Sequence, residues 1–301
     1  MGVRTPDRTG ARRRVLGGVD KRNMAEETIS IILPTHNGQR YLLESIRSCL
    51  DQTYPSLEVV VVNDGSTDDT QAIIDGIDDP RLRVIPLPEN KGIVEALNRG
   101  FAAARGDLLS WTSDDNYYAP EAMAVMRSVL VNEKEVDFVY APYWMVDARG
   151  RKLKLGRVEP PAMLDEDNYV GGCFLYRRRV YEALGGFNPE AFLVEDYEYW
   201  LRVRARFVMK RIETPLYYYR LHEQSLTARH GQGRVLDQVE RFRDPYLPVW
   251  KRAFLKGKRL FYEKDPRRAR PFLWRALRRR PWHYPSWRLL IKSLAPVDRD
   301  A

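Results

Sequence analysis

Two adjacent carboxylates, Asp114 and Asp115, form the strongest chemical feature of the sequence. They follow Leu108 and Leu109, which are typical of the end of a buried strand, and they precede Pro120, which predicts the start of a helix. Adjacent carboxylates repel each other and lose solvation when buried, so a fold retains them more readily where a cation neutralises them. Mg²⁺ is commonly held by one or two carboxylates together with substrate phosphates. The pair therefore indicates a site for Mg²⁺ or Mn²⁺, although an Asp-Asp-Asn sequence also forms simple turns.

Two more polar loops follow apolar runs. Residues 29–33 are mostly β-branched and lead into residues 34–38, and the apolar run 58–62 leads into residues 63–66. Continuous apolar runs are typical of strands buried on both faces of a parallel sheet. Ligands bind at the carboxyl ends of strands in an open α/β sheet, so we expect both loops to join residues 113–116 in one site.

Helical periodicity between these strands predicts an α/β fold. Apolar residues recur at helical spacing over 41–50, 73–77 and 93–104, and a further strand is expected at 81–86. This alternation predicts a doubly wound sheet. The second half is less regular. The further elements expected there are strands at 137–141, 143–146, 173–176 and 215–220, a hairpin turn at 147–150, a loop at 151–169, helices ending at 184 and opening at 193, and basic helices from 233.

Charge divides the 301-residue chain into three parts. Residues 1–28 are Arg- and Gly-rich without periodicity, which predicts a disordered leader. Residues 29–228 hold 23 basic and 30 acidic side chains, and residues 229–301 hold 20 and 7. We expect 29–228 to be the functional domain and 229–301 to be a helical extension. The acidic balance of 29–228 argues against nucleic acid as its substrate.

The basic extension also contains tryptophans. Trp274, Trp282 and Trp287 alternate with arginines, a pattern typical of an amphipathic helix at a membrane interface. Packing of these helices against the domain is the other open interpretation. Cys49 and Cys173 lie in apolar settings without metal-ligand spacing, which predicts buried reduced thiols. With no membrane-spanning run and no secretory signal, we expect a cytoplasmic protein that is peripheral at the inner face of a membrane.

In the order and spacing of its motifs, the sequence resembles the inverting family 2 glycosyltransferases, which have the GT-A fold. Asn63 stands where the family's Asp-Asp-Gly-Ser motif has its first Asp, and Asp64 matches the second. A processive Arg-Trp motif is absent, since Tyr199 precedes Trp200. The segments that carry the resemblance are residues 31–37, 62–66, 90–92, 96–100, 113–115, 171–172, 195–196 and 220–225.

The resemblance implies a GT-A domain, Rossmann-like with a doubly wound mixed sheet. It also implies transfer of one sugar, with inversion, from a nucleotide-diphosphate sugar to a hydroxyl of a surface glycan or lipid-linked saccharide. A UDP- or dTDP-sugar is the expected donor. The implied roles are catalytic base for Asp196; nucleotide-sugar binding for Pro34, Thr35, His36, Asn37, Asp64, Lys91, Gly92, Asn98 and Asp114; acceptor binding for Gly171, Gly172, Glu195 and Trp200; and divalent-metal binding for Asp115, Asp114 and His222.

The residues fit this chemistry independently, because a single displacement needs a base and a neutralised diphosphate but no enzyme nucleophile. Two alternatives stay open. A sugar-1-phosphate nucleotidyltransferase shares the architecture, but its Gly-rich, Arg-containing loop is absent from residues 34–38. A non-catalytic protein that binds nucleotides or polyanions through the basic extension is the other.

Overall fold

The structure is a computed structural model that describes residues 27–230 and 232–294, with all their side chains except those of residues 227 and 232. Residues 1–26 of the predicted leader lie outside the described residues. Thr28 already contacts the sheet, because its N–H donates to the Asp107 carboxylate at 3.0 Å and its carbonyl accepts from Leu108 at 3.1 Å.

The described residues form eleven strands and eleven α-helices, besides three short 3-10 helices. The strands are β1 (Ile29–Thr35), β2 (Leu57–Asp64), β3 (Leu82–Leu87), β4 (Leu108–Trp111), β5 (Tyr117–Tyr118), β6 (Phe138–Tyr140), β7 (Tyr143–Val146), β8 (Lys152–Leu155), β9 (Phe174–Arg177), β10 (Met209–Arg211) and β11 (Tyr217–Arg220). The helices are α1 (Leu42–Leu50), α2 (Thr70–Asp75), α3 (Ile93–Ala103), α4 (Ala122–Asn132), α5 (Arg178–Leu184), α6 (Glu195–Arg206), α7 (Leu226–His230), α8 (Gln232–Arg243), α9 (Val249–Tyr262), α10 (Pro266–Arg279) and α11 (Tyr284–Leu294).

Seven strands form a mixed central sheet in the order β10-β6-β9-β4-β1-β2-β3. Strands β4, β1, β2 and β3 run parallel, whereas β9 is antiparallel to both of its neighbours. Every residue of β1 and β2 is buried, as expected for strands covered on both faces. The predicted doubly wound mixed sheet is thus confirmed.

Two hydrophobic cores cover the two faces of this sheet. One contains the buried face of α1 and residues of α4, and the other contains α3, α5 and α6. Alternation along β1 divides its side chains between them, because Ile31 and Leu33 lie in the first core and Ile32 in the second. Helix α3 approaches the sheet closely at Gly100, where an added Cβ would lie 2.4 Å from Ile32.

A smaller sheet, in the order β5-β11-β7-β8, lies beside the main one. Strand β8 falls in the stretch that the sequence predicted to be a loop, so that prediction is wrong there. All four residues of β8 are exposed, and the strand exists through its antiparallel pairing with β7 rather than through burial. Strands β5 and β10, of two and three residues, were not predicted.

The last three helices share a third core of their own. Leu273, Ala276 and Leu277 of α10 are buried in it. On α11, Leu290 is buried in this core, whereas Trp287 and Ile291 are exposed. The division of the chain at residues 228 and 229 stays a prediction. Cys49 and Cys173 are buried free thiols, as predicted.

Trp200 lies at the centre of the second core. It has no exposed surface, and its ring meets those of Phe138 and Phe174 edge-on at 4.9 and 4.6 Å. Large buried aromatic side chains contribute strongly to stability through both buried area and packing.

We therefore predict that Trp200→Ala lowers the free energy of unfolding by about 3–5 kcal/mol, because it leaves a large cavity. The matched control is Trp282→Ala, since Trp282 is 89% exposed and its loss should change stability by less than about 0.5 kcal/mol. Thermal and denaturant unfolding of both variants measure the difference. Similar melting temperatures for the two would contradict the central position of Trp200.

Candidate functional site

A cavity of about 640 Å³ opens at the carboxyl ends of β1, β2 and β4. Residues 34–38, Asp64 and residues 113–116 all line it, so the three polar loops lie together. They meet because β1 pairs in parallel with β2 on one side and β4 on the other, which brings the three strand ends side by side. The volume is within the range of small-molecule sites.

Asp64 joins the end of β2 to the turn before α3. One carboxylate oxygen accepts the N–H of Lys91 at 2.7 Å, and the other accepts the N–H of Gly92 at 2.8 Å. Gly92 has φ +88°, a conformation that side-chain-bearing residues rarely adopt. The His36 ring nitrogen Nδ1 lies 2.8 Å from the Asp64 carbonyl oxygen. These contacts fix the positions of the turn and of the His36 ring at the cavity wall.

Asn63 does not line the cavity. Its amide donates to the Gln71 side chain at 2.8 Å, and its side-chain oxygen accepts the N–H of Ser66 at 3.1 Å. The residue that departs from the family motif is therefore a structural residue of the loop after β2.

Asp114 is held by the loop after β1. The Thr35 hydroxyl donates to its Oδ2 at 2.5 Å, and a Cβ on Gly38 would lie 2.3 Å from the same oxygen. A residue larger than glycine at position 38 would displace this carboxyl group. Burial, together with the adjacent charge of Asp115, raises the pKa of Asp114 to about 7. The Asp114 carboxyl group thus binds a proton readily near neutral pH.

Asp115 contacts His222, with 2.8 Å between Oδ2 and the ring nitrogen Nε2. The buried Arg220 side chain organises this wall: its Nε donates to the Asp115 carbonyl at 3.0 Å, and its guanidinium lies 4.4 Å from the Tyr41 ring centroid. The backbone N–H of Arg220 donates to the Asn116 side chain at 2.7 Å. The end of β11 is thereby fixed to the loop after β4, which holds His222 beside Asp115.

These residues fit a divalent cation that a substrate helps to bind. Within residues 27–230 and 232–294, no three His, Cys, Asp or Glu side chains are grouped closely enough to hold a metal unaided. Mg²⁺, however, usually takes one or two carboxylates and completes its coordination with water and substrate phosphates. Oδ1 of Asp115 is a buried oxygen without a hydrogen-bond partner, and the carboxyl of Asp114 and the His222 ring are beside it in the cavity wall.

A second carboxylate pair, Glu195 and Asp196, lines the cavity at the start of α6. Asp196 accepts two hydrogen bonds, from the Asn168 amide at 2.7 Å and from the N–H of Tyr197 at 2.6 Å. Glu195 is buried, and its Oε2 has no partner. Burial and the charge of Asp196 raise the pKa of Glu195 to about 8, and burial also raises the pKa of Asp196. The Asn168 side chain donates to Asp196 and not to Glu195, and the Glu195 pKa is raised to about 8, so Glu195 holds the proton of this pair first.

Two glycines allow tyrosine rings to line the cavity. Gly171 has φ +73°, and a Cβ there would lie 2.6 Å from the Tyr143 ring. A Cβ on Gly172 would lie 2.8 Å from the Tyr217 ring. Both glycines and both tyrosines belong to the cavity wall, so the glycine pair sets how closely the smaller sheet approaches it.

Unsatisfied polar atoms are concentrated at this cavity. Eleven buried side-chain atoms lack a hydrogen-bond partner within the described residues, and six of them belong to cavity-lining residues. Such groups are rare in native proteins and each calls for an explanation. Here a polar ligand would satisfy them. The six atoms are the hydroxyl of Tyr41, Nε1 of Trp111, Oδ1 of Asp115, Oδ1 of Asn168, Oε2 of Glu195 and Nδ1 of His222.

Three residues expected at the site do not line the cavity. Trp200 is enclosed in the second core, because it lies on the inner face of α6. The Asn98 side chain donates to the Phe187 carbonyl at 3.0 Å and accepts its N–H at 2.8 Å, so it ties α3 to the loop after α5. The Lys91 side chain pairs with Glu89 outside the cavity, and only its backbone contacts Asp64.

Sequence reasoning missed several cavity residues, among them Tyr41, Trp111, Tyr143, Asn168 and Arg229. The sequence pattern indicated only secondary structure for two of them: Tyr41 belongs to a predicted helix and Tyr143 to a predicted strand. Asn168 fell within the predicted loop, where its position three residues before the glycine pair was the sole available indication. Arg229 was counted only as part of the basic extension.

The family model of Glycosyl transferase family 2 matches residues 30–185, which is just over half of the chain. An uncharacterised glycosyltransferase of Rickettsia prowazekii is 30% identical over 196 residues, which cover 60% of each chain. A glycosyltransferase of Rickettsia conorii is 29% identical over 194 residues, and only 32% of its length is covered. The chain therefore spans between about a third and 60% of these two relatives.

Solved structures share the fold at lower identity. Residues 1–349 of TarS from S. aureus, in complex with UDP-GlcNAc, superpose with a TM-score of 0.63 at 18% identity, covering 88% of this chain and 89% of that one. The mannosyltransferase PcManGT from Pyrobaculum calidifontis, in complex with GDP-Man and Mn²⁺, gives a TM-score of 0.60 at 21% identity, covering 88% and 79%. The GT-A fold expected from the sequence is thereby confirmed.

The buried Glu195 generates a prediction for stability. Its pKa is raised, so its contribution to stability is present below the ordinary Glu pKa and is lost as the pH rises through about 8. Glu195→Gln removes the charge that burial disfavours. We therefore expect this variant to gain stability over the parent at pH 9, by an amount on the order of a few kcal/mol, and to gain much less at pH 5.

Thermal unfolding at the two pH values measures this difference. The control is Glu182→Gln, because Glu182 is an exposed residue of α5 and its replacement should change stability by less than about 0.5 kcal/mol at either pH. An equal effect of Glu195→Gln at pH 5 and pH 9 would show that Glu195 ionises normally in the folded protein.

Proposed function

The chain belongs to glycosyl transferase family 2, and we propose that it transfers one sugar from a nucleotide-diphosphate sugar to a hydroxyl group of an acceptor, with inversion at the anomeric carbon. One observation carries this proposal above the others. A single cavity holds both a carboxylate pair suited to a divalent cation, after β4, and a second carboxylate pair suited to proton transfer, at the start of α6.

Donor binding is assigned to the side of the cavity formed by the ends of β1 and β2. The nucleoside would contact the loop of residues 34–37 together with Asp64 and Gly92, all of which line the cavity. Asp64 is already fixed by two backbone N–H groups, so it would meet a nucleotide base without first having to be ordered. This preorganisation supports a nucleotide site here.

The diphosphate is assigned to Asp114, Asp115 and His222. The unpaired Oδ1 of Asp115 is the oxygen best suited to a cation, and Asp114 and His222 complete the protein's part of the coordination. A bound Mg²⁺ or Mn²⁺ would neutralise the charge that grows on the diphosphate as its bond to the sugar breaks. The nearby positive charge would also favour the ionised form of Asp114, whose pKa is otherwise raised.

Acceptor activation is assigned to Asp196. The acceptor hydroxyl oxygen attacks the anomeric carbon from the face opposite to the diphosphate, its proton passes to the Asp196 carboxylate, and the bonding electron pair leaves with the nucleoside diphosphate. The Asn168 amide and the Tyr197 N–H stabilise the ionised form of Asp196, which is the form that accepts a proton. Glu195 would act beside it on the acceptor, with Gly171 and Gly172 shaping that wall.

The substrates proposed are a UDP- or dTDP-sugar and a surface glycan or lipid-linked saccharide. TarS and PcManGT are described in complexes with UDP-GlcNAc and with GDP-Man and Mn²⁺, which supports a nucleotide sugar and a cation for this chain as well. A relative from Escherichia coli, 27% identical over 202 residues, is a chondroitin synthase, of which 29% is covered. This supports a role in polysaccharide biosynthesis at the cell envelope.

We further propose residues 29–228 as the catalytic domain and residues 229–301 as an extension that contacts the cytoplasmic face of a membrane. None of the helices in the described part of the chain is long and apolar enough to cross a bilayer.

Asp115→Asn tests the cation site. We expect the parent to gain thermal stability from UDP together with Mn²⁺, since a ligand at a hundred times its Kd adds roughly 2.7 kcal/mol to the free energy of unfolding. The variant should lose most of this gain while keeping its unliganded melting temperature, because the substitution removes one charged ligand from the cavity wall. The assay is a thermal-shift titration of UDP with and without Mn²⁺.

The control is Asp78→Asn, which neutralises an exposed carboxylate away from the cavity and should respond to UDP and Mn²⁺ like the parent. An Asp115→Asn protein with an unchanged metal-dependent shift would remove Asp115 from the cation site.

Asp196→Asn tests the base. Asn keeps the size and one acceptor oxygen but cannot take the acceptor's proton, so transfer should fall by about 10²–10⁴-fold. Nucleotide and metal binding should stay close to those of the parent, because Asp196 is not among the residues assigned to the donor. Release of UDP and formation of glycoside measure transfer, and the thermal shift measures binding.

Glu195→Gln is the matched variant of the neighbouring carboxyl group and should reduce transfer less, because Glu195 is protonated near neutral pH and is a poorer proton acceptor. A stable Asp196→Asn protein that transfers sugar at nearly the parent rate would eliminate Asp196 as the base. A parent protein that binds nucleotide but transfers no sugar to any saccharide would favour a non-catalytic binding role instead.

A further inference from the structure

The last helix exposes a row of apolar side chains. Tyr284, Trp287, Ile291 and Leu294 lie at helical positions i, i+3, i+7 and i+10 and are 71, 39, 64 and 61% exposed. Trp274 of α10, 49% exposed, meets Trp287 edge-on with 5.7 Å between ring centroids. These five side chains form what we call the C-terminal apolar face.

This face is exposed although the helix that carries it is well packed. The opposite side of α11 buries Leu289 and Leu290 in the third core, and Ser286 and Ser293 are also buried. The helix is therefore apolar on two sides, only one of which the described residues cover. Contiguous exposed apolar side chains of this kind mark an interaction surface.

The helices that carry the apolar face, and the turn between them, have charged residues of one sign. Residues 266–294 contain nine Lys and Arg and no Asp or Glu. Within the described residues, only Arg268 of these nine forms an ion pair, with Asp265 at 3.7 Å. The other eight basic side chains in this segment are Arg267, Arg270, Arg275, Arg278, Arg279, Arg280, Arg288 and Lys292.

The neighbouring helix uses its basic residues differently. On α9, Lys251 pairs with Asp165 at 2.7 Å and Lys258 with Glu166 at 3.1 Å, which ties the helix to the segment between β8 and β9. Lys256 pairs with Glu240 of α8 at 2.5 Å. Arg259 pairs with Glu263 at 2.7 Å, so four of the five basic residues of α9 are paired, whereas eight of the nine in residues 266–294 have no ion pair within the described residues.

We propose that α10 and α11 form a docking surface for an anionic lipid bilayer, with the C-terminal apolar face inserted among the head groups and the surrounding cations in contact with lipid phosphates. Tryptophan and tyrosine side chains favour the membrane interface, and helices that lie in it combine an apolar face with Lys and Arg. The inference specifies the residues of the membrane contact in the proposed function, but it does not depend on the sugar-transfer reaction.

The same observations disfavour two other occupants. A second copy of the chain would bring two segments without any Asp or Glu against each other, and such juxtaposed like charges oppose association. A nucleic acid would satisfy the cations, but its phosphate backbone offers no environment for Ile291 and Leu294. A lipid bilayer with anionic head groups offers both partners within a few ångströms: phosphates for the cations and an apolar interior for the exposed apolar side chains.

Vesicle co-sedimentation of the full-length chain tests the proposal. We expect binding to phosphatidylcholine vesicles that contain one-third phosphatidylglycerol and little binding to vesicles of phosphatidylcholine alone. Raising the salt should weaken the electrostatic part, because the Debye length falls from about 10 Å at 0.1 M to about 3 Å at 1 M. Inorganic phosphate should displace the protein from these vesicles no better than chloride at the same ionic strength, because the proposed site contacts many lipid head groups at once rather than one phosphate.

Two variants separate charge from insertion. Arg278→Glu/Arg279→Glu should weaken the partition coefficient at least about 25-fold, since each basic residue near an anionic surface contributes roughly fivefold. Ile291→Ser/Leu294→Ser should weaken it by about tenfold and leave a binding that is more sensitive to salt. Neither pair belongs to a buried core, and a circular dichroism melt confirms folding of both variants.

Strand β8 provides a matched control. It is exposed and carries Lys152 and Lys154 together with Leu153 and Leu155, 56 and 49% exposed. Lys152→Glu/Lys154→Glu changes the net charge by the same amount as the arginine pair but should leave vesicle binding within about twofold of the parent, because each exposed cation acts only near the surface it contacts.

Several outcomes would overturn the proposal. If the β8 control lost as much vesicle binding as Arg278→Glu/Arg279→Glu, the effect of the arginine pair would be explained by net charge alone. Binding of a duplex oligonucleotide as tight as that of anionic vesicles, unaffected by Ile291→Ser/Leu294→Ser, would assign the surface to a polyanion. A dimer in sedimentation equilibrium that the same variant dissociates would assign the apolar face to a second copy. Sugar transfer to a soluble acceptor, measured in parallel, tests the proposed function separately.

Discussion

Burial of carboxyl groups is the constraint on which the site depends. The cavity contains two adjacent pairs, after β4 and at the start of α6, in surroundings that penalise their charge. One member of each pair has specific partners: Asp115 contacts the His222 ring, and Asp196 accepts from the Asn168 amide and a backbone N–H. Such an arrangement needs a rigid support, which the fully buried strands β1 and β2 and the packed faces of the main sheet provide.

The part of the fold that could be predicted is the part in which both faces of a strand are buried. Strands β1, β2 and β4 appear in the sequence as apolar runs because burial on two faces leaves no room for polar residues. The polar loops after them were predictable for the same reason, since charged residues that follow such a run must lie at the strand ends. Strand β8 had no such signal, because its alternating Lys and Leu side chains are all exposed.

Motifs indicated which residue types belong to the site more reliably than which way each side chain points. Asn98 lies in a matching segment, yet its amide binds the Phe187 backbone, and Trp200 follows the Glu195–Asp196 pair but faces inward. The direction of a side chain depends on how its helix is rotated about its axis against the neighbouring elements, and the local spacing of residues does not indicate this rotation. Net charge had the same weakness, because it did not distinguish α9, where most cations are paired, from α10 and α11, where most are not.

The separation of the two carboxylate pairs has a chemical consequence. A cation held after β4 would favour ionisation of Asp114, whereas the pair at α6 accepts a proton only while Asp196 is ionised. If the two carboxylate pairs lay side by side, the same neighbouring charges would act on both. Because Asp114 follows a strand of the sheet and Asp196 begins a helix, separate surroundings set the pKa values of these two groups: burial with the charge of Asp115 for Asp114, and burial with the Asn168 amide for Asp196. The cavity can therefore bind a charged leaving group at one wall and accept a proton at another without either function suppressing the other.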